Sequence, residues 1–156
     1  GIPAEPLFRS IQLAPTPMGV NLDELRHLRR ARDVIERDYA APLRIADLAK
    51  IAHMSPAHFI RRFQAAYAQT PHSYLVSRRI ERAQALLRSG ESSVTQACFA
   101  VGYSSLGTFS ATFTQIVGQT PTAYAAQDHS ALAALAPCHA MVVTRPHRTA
   151  CTSSSF

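Results

Sequence analysis

Apolar positions recur at helical spacing through most of the chain. Asn21 begins a capping-box-like Asn-Leu-Asp-Glu, and Leu25, Leu28, Ala31, Arg32, Ile35 and Tyr39 follow as one stripe. Pro42 ends that helix. Ile45 to Ala52 reads as a short helix with Leu48, Ala49 and Ala52 inward. His53-Met54-Ser55 is a turn, Ser55 caps the next helix, Pro56 is its first residue, and Phe59, Phe63 and Tyr67 stripe one face. Thr70-Pro71 opens a long helix through Leu75, Ile80, Ala83, Leu86 and Leu87, which stops at Gly90.

The pattern then repeats. Ser93-Val-Thr-Gln96 is a second capping box, followed by a short helix to Val101 and a turn at Gly102-Tyr103-Ser104. A helix carrying Phe109, Phe113 and Val117 comes next, and Thr120-Pro121 starts a last short helix ending near Gln127. Ala49, Ala52 and Met54 match Cys98, Val101 and Tyr103 at an offset of 49. Phe59, Phe63, Pro71 and Tyr74 match Phe109, Phe113, Pro121 and Tyr124 at 50, so the second turn holds one extra residue. Only Ala140 to Thr144 alternates in the manner of a strand. The expected fold is all-α: two helix-turn-helix lobes joined by a long central helix, about seven helices in all.

The organisation expected from this is a Pro-rich extension at 1–20, a body at 21–128 and a tail at 129–156. Within the body the first lobe covers about 21–70, the linker helix 71–89 and the second lobe about 90–128. At 1.5 Å per residue the linker spans roughly 28 Å. Successive major grooves on one face of B-DNA lie about 34 Å apart, so such a rod suits two recognition helices on one duplex.

Charge sharpens the picture. The chain has 156 residues and a net charge of +6, which points to a polyanionic partner. Thirteen of its sixteen basic residues lie between Arg26 and Arg88, and none lies between Ser89 and Thr144. The positive field belongs to the first half of the chain. No apolar run is long enough for a membrane span, and the N-terminal stretch lacks the apolar core of a signal peptide. Three cysteines favour a reducing compartment, so a cytoplasmic protein is expected.

The run ARDVIERDYAAPLRIADLAKIAHMSPAHFIRRFQ, then SYLVSRRIERAQALL, then VGYSSLGTFSATFTQIVGQTPTAY, resembles the DNA-binding domain of the AraC/XylS family of bacterial transcription regulators. The resemblance covers about residues 25–127. It implies a seven-helix, two-lobe fold that binds asymmetric sites on double-stranded DNA and usually activates transcription by contacting RNA polymerase. Many members add a ligand-sensing domain, and no small-molecule sensing domain is evident here. The sequence is similar either to a stand-alone regulator or to the C-terminal part of a larger one.

The resemblance carries the base-reading role onto the outer face of each second helix. In the first motif these positions are Ala57, His58, Ile60, Arg61 and Gln64; Arg61 stands out because a guanidinium bonds guanine O6 and N7 bidentately. In the second they are Leu106, Gly107, Thr108, Ser110 and Ala111, where the family commonly has Arg at the Ala111 position. Hydroxyls and small apolar contacts remain there, and a mainly structural second lobe is the competing reading. Ser55, Ser104 and Ser105, near helix N-termini, are candidate phosphate donors, though capping explains them equally. Arg78 and Arg79 on the linker helix are candidate phosphate contacts, alongside Arg82 and Arg88; ion pairing with Glu81, Asp47 or the first helix is the alternative for Arg79 and Arg82.

Other chemistry is not expected. Cys98 occupies an inward small-residue position and reads as core. Cys138, His139, His147 and Cys151 have no compact metal-site spacing, and Arg145 and Arg148 interrupt them. No cofactor site, nucleophile triad or paired carboxylates point to an enzyme. The alternative function is a protein-interaction module whose basic face binds an acidic partner.

Overall fold

A computed structural model describes residues 21–129. The expected strand-like stretch and the Cys/His tail lie outside the described residues, as does the Pro-rich extension. Seven helices follow in order: α1 (Leu22–Asp38), α2 (Ile45–Ile51), α3 (Pro56–Tyr67), α4 (Pro71–Ser89), α5 (Val94–Ala100), α6 (Leu106–Val117) and α7 (Pro121–Ala125).

Local chemistry fixes most of the helix starts. Ser55, Thr70, Ser105 and Thr120 each accept a bond from the backbone N–H three residues on, at 3.2 to 3.4 Å, which satisfies one of the unpaired donors at the first turn. Pro56, Pro71 and Pro121 occupy the first helical position, where a missing N–H costs nothing. Ser93 and Gln96 form the full reciprocal capping box. The expected box at Asn21 does not close. Asn21 accepts from Asp23 N at 3.1 Å, and Glu24 turns instead to Arg62 on α3. A charged partner in a half-buried setting outcompetes an exposed amide.

The repeat is realised as two separate cores. Leu28, Ala31 and Ile35 of α1 meet Leu48, Ala49, Phe59, Phe63, Tyr74 and Leu75 in the first. Ile80, Ala83 and Leu87 meet Ala97, Cys98, Val101, Phe109, Phe113 and Tyr124 in the second. α4 serves both: its first half packs below the first lobe and its second half below the second. The aromatic geometry is copied closely. Phe63 has ring centroids 5.5 Å from Phe59 and 5.7 Å from Tyr74, and Phe113 lies 5.7 Å from Phe109 and 5.5 Å from Tyr124. Cys98 is fully buried, and burial pushes its thiol above the usual range. Leu25 departs from the predicted stripe: it is 37% exposed, as is its neighbour Leu22 more fully. The start of α1 is tied to α3 through Glu24 and Arg62, while Leu22 and Leu25 keep a face open to solvent.

Candidate nucleic-acid interface

Burying Phe59 and Phe63 turns the opposite face of α3 to solvent. Ala57, His58, Arg61 and Gln64 are exposed there, with Ile60 half-buried beside them. Phe109 and Phe113 do the same for α6, leaving Leu106, Gly107, Thr108 and Ala111 exposed and Ser110 half-buried. Each set thus lies together on the outer side of the second helix of its motif.

The adjacent arginines of α3 have different surroundings. Arg61 is exposed and enters no ion pair among the described residues. Arg62 is held by Glu24, with both side chains about 19% exposed and a second bond from Nη2 to Oε2 at 3.1 Å. In the second copy the matching positions are Ala111 and Thr112, and Thr112 Oγ1 donates to the carbonyl of Thr108 at 2.8 Å. Thr114 makes the same backward bond to Ser110 O. Both hydroxyls therefore serve the helix itself.

The helix N-termini keep some donor capacity. Ser55 and Ser105 accept from His58 N and Thr108 N, and each hydroxyl retains its own O–H to donate. Ser104 is exposed next to Ser105.

The linker arginines have partners within the protein. Arg78, with a side chain only 10% exposed, sits between Glu36 and Glu81, and Tyr74 donates its hydroxyl to the same Glu36. Arg79 donates from Nε to Tyr39 O at 2.7 Å and from Nη2 to Ala41 O at 3.0 Å. Burial pushes its guanidinium below the usual arginine value, and neighbouring Tyr103 opposes that shift; an arginine stays protonated in any case. Arg82 lies over the Tyr39 ring, 5.5 Å from its centroid, and Arg88 donates to Tyr124 Oη at 2.9 Å. Of the alternatives expected for Arg79, the partner is the end of the first helix and the turn after it, through Tyr39 O and Ala41 O. Helical spacing alone could not reveal this, because the acceptors lie some forty positions upstream.

Several cations outside the predicted set are exposed, among them Arg29, Arg30, Arg44 and Lys50. Arg44, the N-cap residue of α2, is exposed and makes no side-chain cap bond. Its counterpart at offset 49 is Ser93, and the counterpart of Lys50 at the same offset is Phe99, which is 57% exposed. The charge difference between the copies therefore extends to both helices of each motif.

Comparison with known proteins agrees with this architecture. A helix-turn-helix domain model matches residues 48–127. A putative AraC-like transcription regulator from Streptomyces lividans is 36% identical over 90 residues, 58% of this chain and 30% of that protein. Among solved structures, the DNA-binding domain of AdpA, described as a global transcriptional factor and seen in complex with a target DNA, superposes with a TM-score of 0.63 at 26% identity, covering 67% of this chain and 95% of that one. A transcriptional regulator with an AraC-type DNA-binding domain from Chromobacterium violaceum gives 0.62 at 29%, covering 69% and 96%. The chain spans about a third of the length of the curated relatives it matches. It belongs to the AraC/XylS family of helix-turn-helix transcription regulators, a non-enzymatic class. No described helix is long and apolar enough to cross a membrane.

Proposed function

We propose that the chain binds double-stranded DNA sequence-specifically as a monomer, with α3 and α6 in adjacent major grooves of one duplex. The observation that carries this is the shared frame: identical burial of Phe59/Phe63 and Phe109/Phe113 turns one face of each second helix outward from a common rod. The 19-residue α4 gives that rod a length of roughly 28 Å, suited to neighbouring grooves.

Base reading in the first groove falls to Arg61 with His58 and Gln64, which hold the donors and acceptors that purine edges match. Ala57 and Ile60 supply apolar contact. In the second groove Thr108 and Ser110 offer hydroxyls, while Leu106, Gly107 and Ala111 allow close approach and contact with thymine methyls. Ser55, Ser104 and Ser105 donate to phosphates at the helix starts. Arg44 adds a phosphate contact at the start of α2, because the first helix of such a motif crosses the DNA backbone, and Arg78 and Arg79 are the expected contacts on the linker helix. Transcriptional activation through contact with RNA polymerase rests on the family resemblance, as does a cytoplasmic site of action.

Selection of bound sites from a random duplex library, followed by fluorescence anisotropy across a salt series, tests the reading. Specific binding whose affinity falls steeply with salt supports it. A flat response on every duplex favours the second reading, a protein-interaction module. The exposed Phe99 and Leu106 in the second lobe, which has no Lys or Arg, are the observation on that side.

A further inference from the structure

The two lobes share more than α4. Tyr39, the C-cap residue of α1, packs against both cores. The turn that follows it carries the two carbonyls, of Tyr39 and Ala41, that receive Arg79. The same guanidinium lies over the ring of Tyr103 in the second motif's turn, 5.7 Å from its centroid. Beside Tyr103, Gly102 has φ +87°, and a Cβ there would stand 2.3 Å from Ala40 O. One turn therefore rests backbone to backbone on the other, and a single arginine of α4 joins them.

The chemistry of this junction is specific. Carbonyls at a helix C-terminus lack intrahelical donors and carry the negative end of the helix dipole. The planar guanidinium fork bonds one such carbonyl, of Tyr39, together with that of Ala41 in the following turn, and stacks on an aromatic ring, which an ammonium does not do in the same way. Two lobes hung on one helix rock about it; a second attachment away from the helix axis removes that freedom.

We infer that Arg79 is a positioning residue that holds the two lobes as one rigid body, so that the chain measures the spacing between its two half-sites as well as their sequences. This rests on the DNA reading above. Inserting two base pairs moves the second half-site about 7 Å along and about 70° around the duplex, further than a clasped pair of lobes follows.

The test compares the wild-type chain with Arg79→Met, which keeps length and apolar stem but removes the fork, and with Arg79→Lys. Each binds the selected site, versions with one or two base pairs inserted or deleted between half-sites, and a duplex carrying the first half-site alone. For the wild type a two-base-pair insertion lowers affinity about 100-fold, the order expected when a half-site's contacts are lost. In Arg79→Met affinity at native spacing falls about 10-fold through lost preorganisation, the insertion penalty shrinks several-fold, and binding to the single half-site is unchanged. Arg79→Lys lies between. An identical spacing profile in wild type and Arg79→Met overturns the proposal. Spin labels attached at Ala65→Cys and Gln115→Cys, positions exposed on α3 and α6, with Cys138→Ser and Cys151→Ser to remove competing thiols, give a second reading that needs neither DNA nor a change at Arg79. A narrow inter-lobe distance distribution in the wild type supports the clasp, and a broad one overturns it. If the wild type discriminates no duplex, the DNA reading fails while the label distances still decide whether the lobes are rigid.

Discussion

Arg62 of α3 and Glu24 of α1 form a two-point ion pair although 38 positions separate them. The pair ties the second helix of the first motif to the first helix of the lobe and consumes one of two adjacent arginines. Arg61, one position earlier, points away from that contact and is exposed.

The two arginines should therefore fail in different assays. Arg62→Ala should lower stability by about 1–3 kcal/mol, the range for half-buried charge-assisted bonds, as read from urea unfolding. Arg61→Ala should leave stability within about 0.5 kcal/mol. Its binding to the preferred site should fall by about 1–3 kcal/mol, with relaxed preference at one or two base pairs. Unchanged base preference in Arg61→Ala would remove it from the reading face.

Phe63 and Phe113 are the fully buried centres of their cores. Truncation of either to Ala should cost about 3–5 kcal/mol through lost transfer energy and the residual cavity. Thermal melts followed by circular dichroism decide the matter. A wild-type melting temperature in either variant contradicts the packing described here.

Gly102 and Gly118 have nearly the same backbone conformation, φ +87° and +86°, but different neighbours. At Gly118 a Cβ meets nothing within 4 Å, and its counterpart in the first copy is Ala68, which holds φ 57°. Gly118→Ala should cost only about 1–2 kcal/mol, the penalty of the left-handed region for an L-residue. Gly102→Ala should cost clearly more, because the new methyl must displace the backbone of Ala40. Equal melting temperatures for the two variants would mean that the contact between the turns yields freely.

The unequal charge of the copies should appear in DNA recognition. Scrambling the half-site under α3 should weaken binding much more than scrambling that under α6, with each mismatched position under α3 costing about 1–3 kcal/mol. Ala111→Arg should raise general affinity and steepen the salt slope by about one unit. Competition with singly scrambled duplexes measures the first, and anisotropy across a salt series the second. A larger loss from the α6 half-site would assign the specificity to hydroxyls and shape.

The helices and the repeat were legible in the sequence because their causes are local. A Ser or Thr cap bonds an amide three residues away, proline is harmless only in the first turn, and a stripe such as Phe59-Phe63-Tyr67 is a property of helical period. These reach no further than a turn or two, so they survive without knowledge of the fold. The faces carrying Arg61 and Ala111 followed from the same period.

What each arginine does was decided only by the tertiary structure. Arg61, Arg62, Arg78 and Arg79 are alike in sequence, each a cation on a helix. Arg61 has no ion-pair partner among the described residues, and Arg78 meets Glu81 within its own helix. The remaining partners, Glu24, Glu36 and the carbonyls of Tyr39 and Ala41, are fixed by how α1 and the turn after it meet α3 and α4. Leu25 follows the same logic in reverse: its spacing fits the apolar stripe, but it stays 37% exposed. Periodicity states which side of a helix is apolar. Only the packing of distant segments determines which charges are neutralised within the protein and which remain for a partner, because electrostatic pairing depends on separation in space and burial, not on separation along the chain.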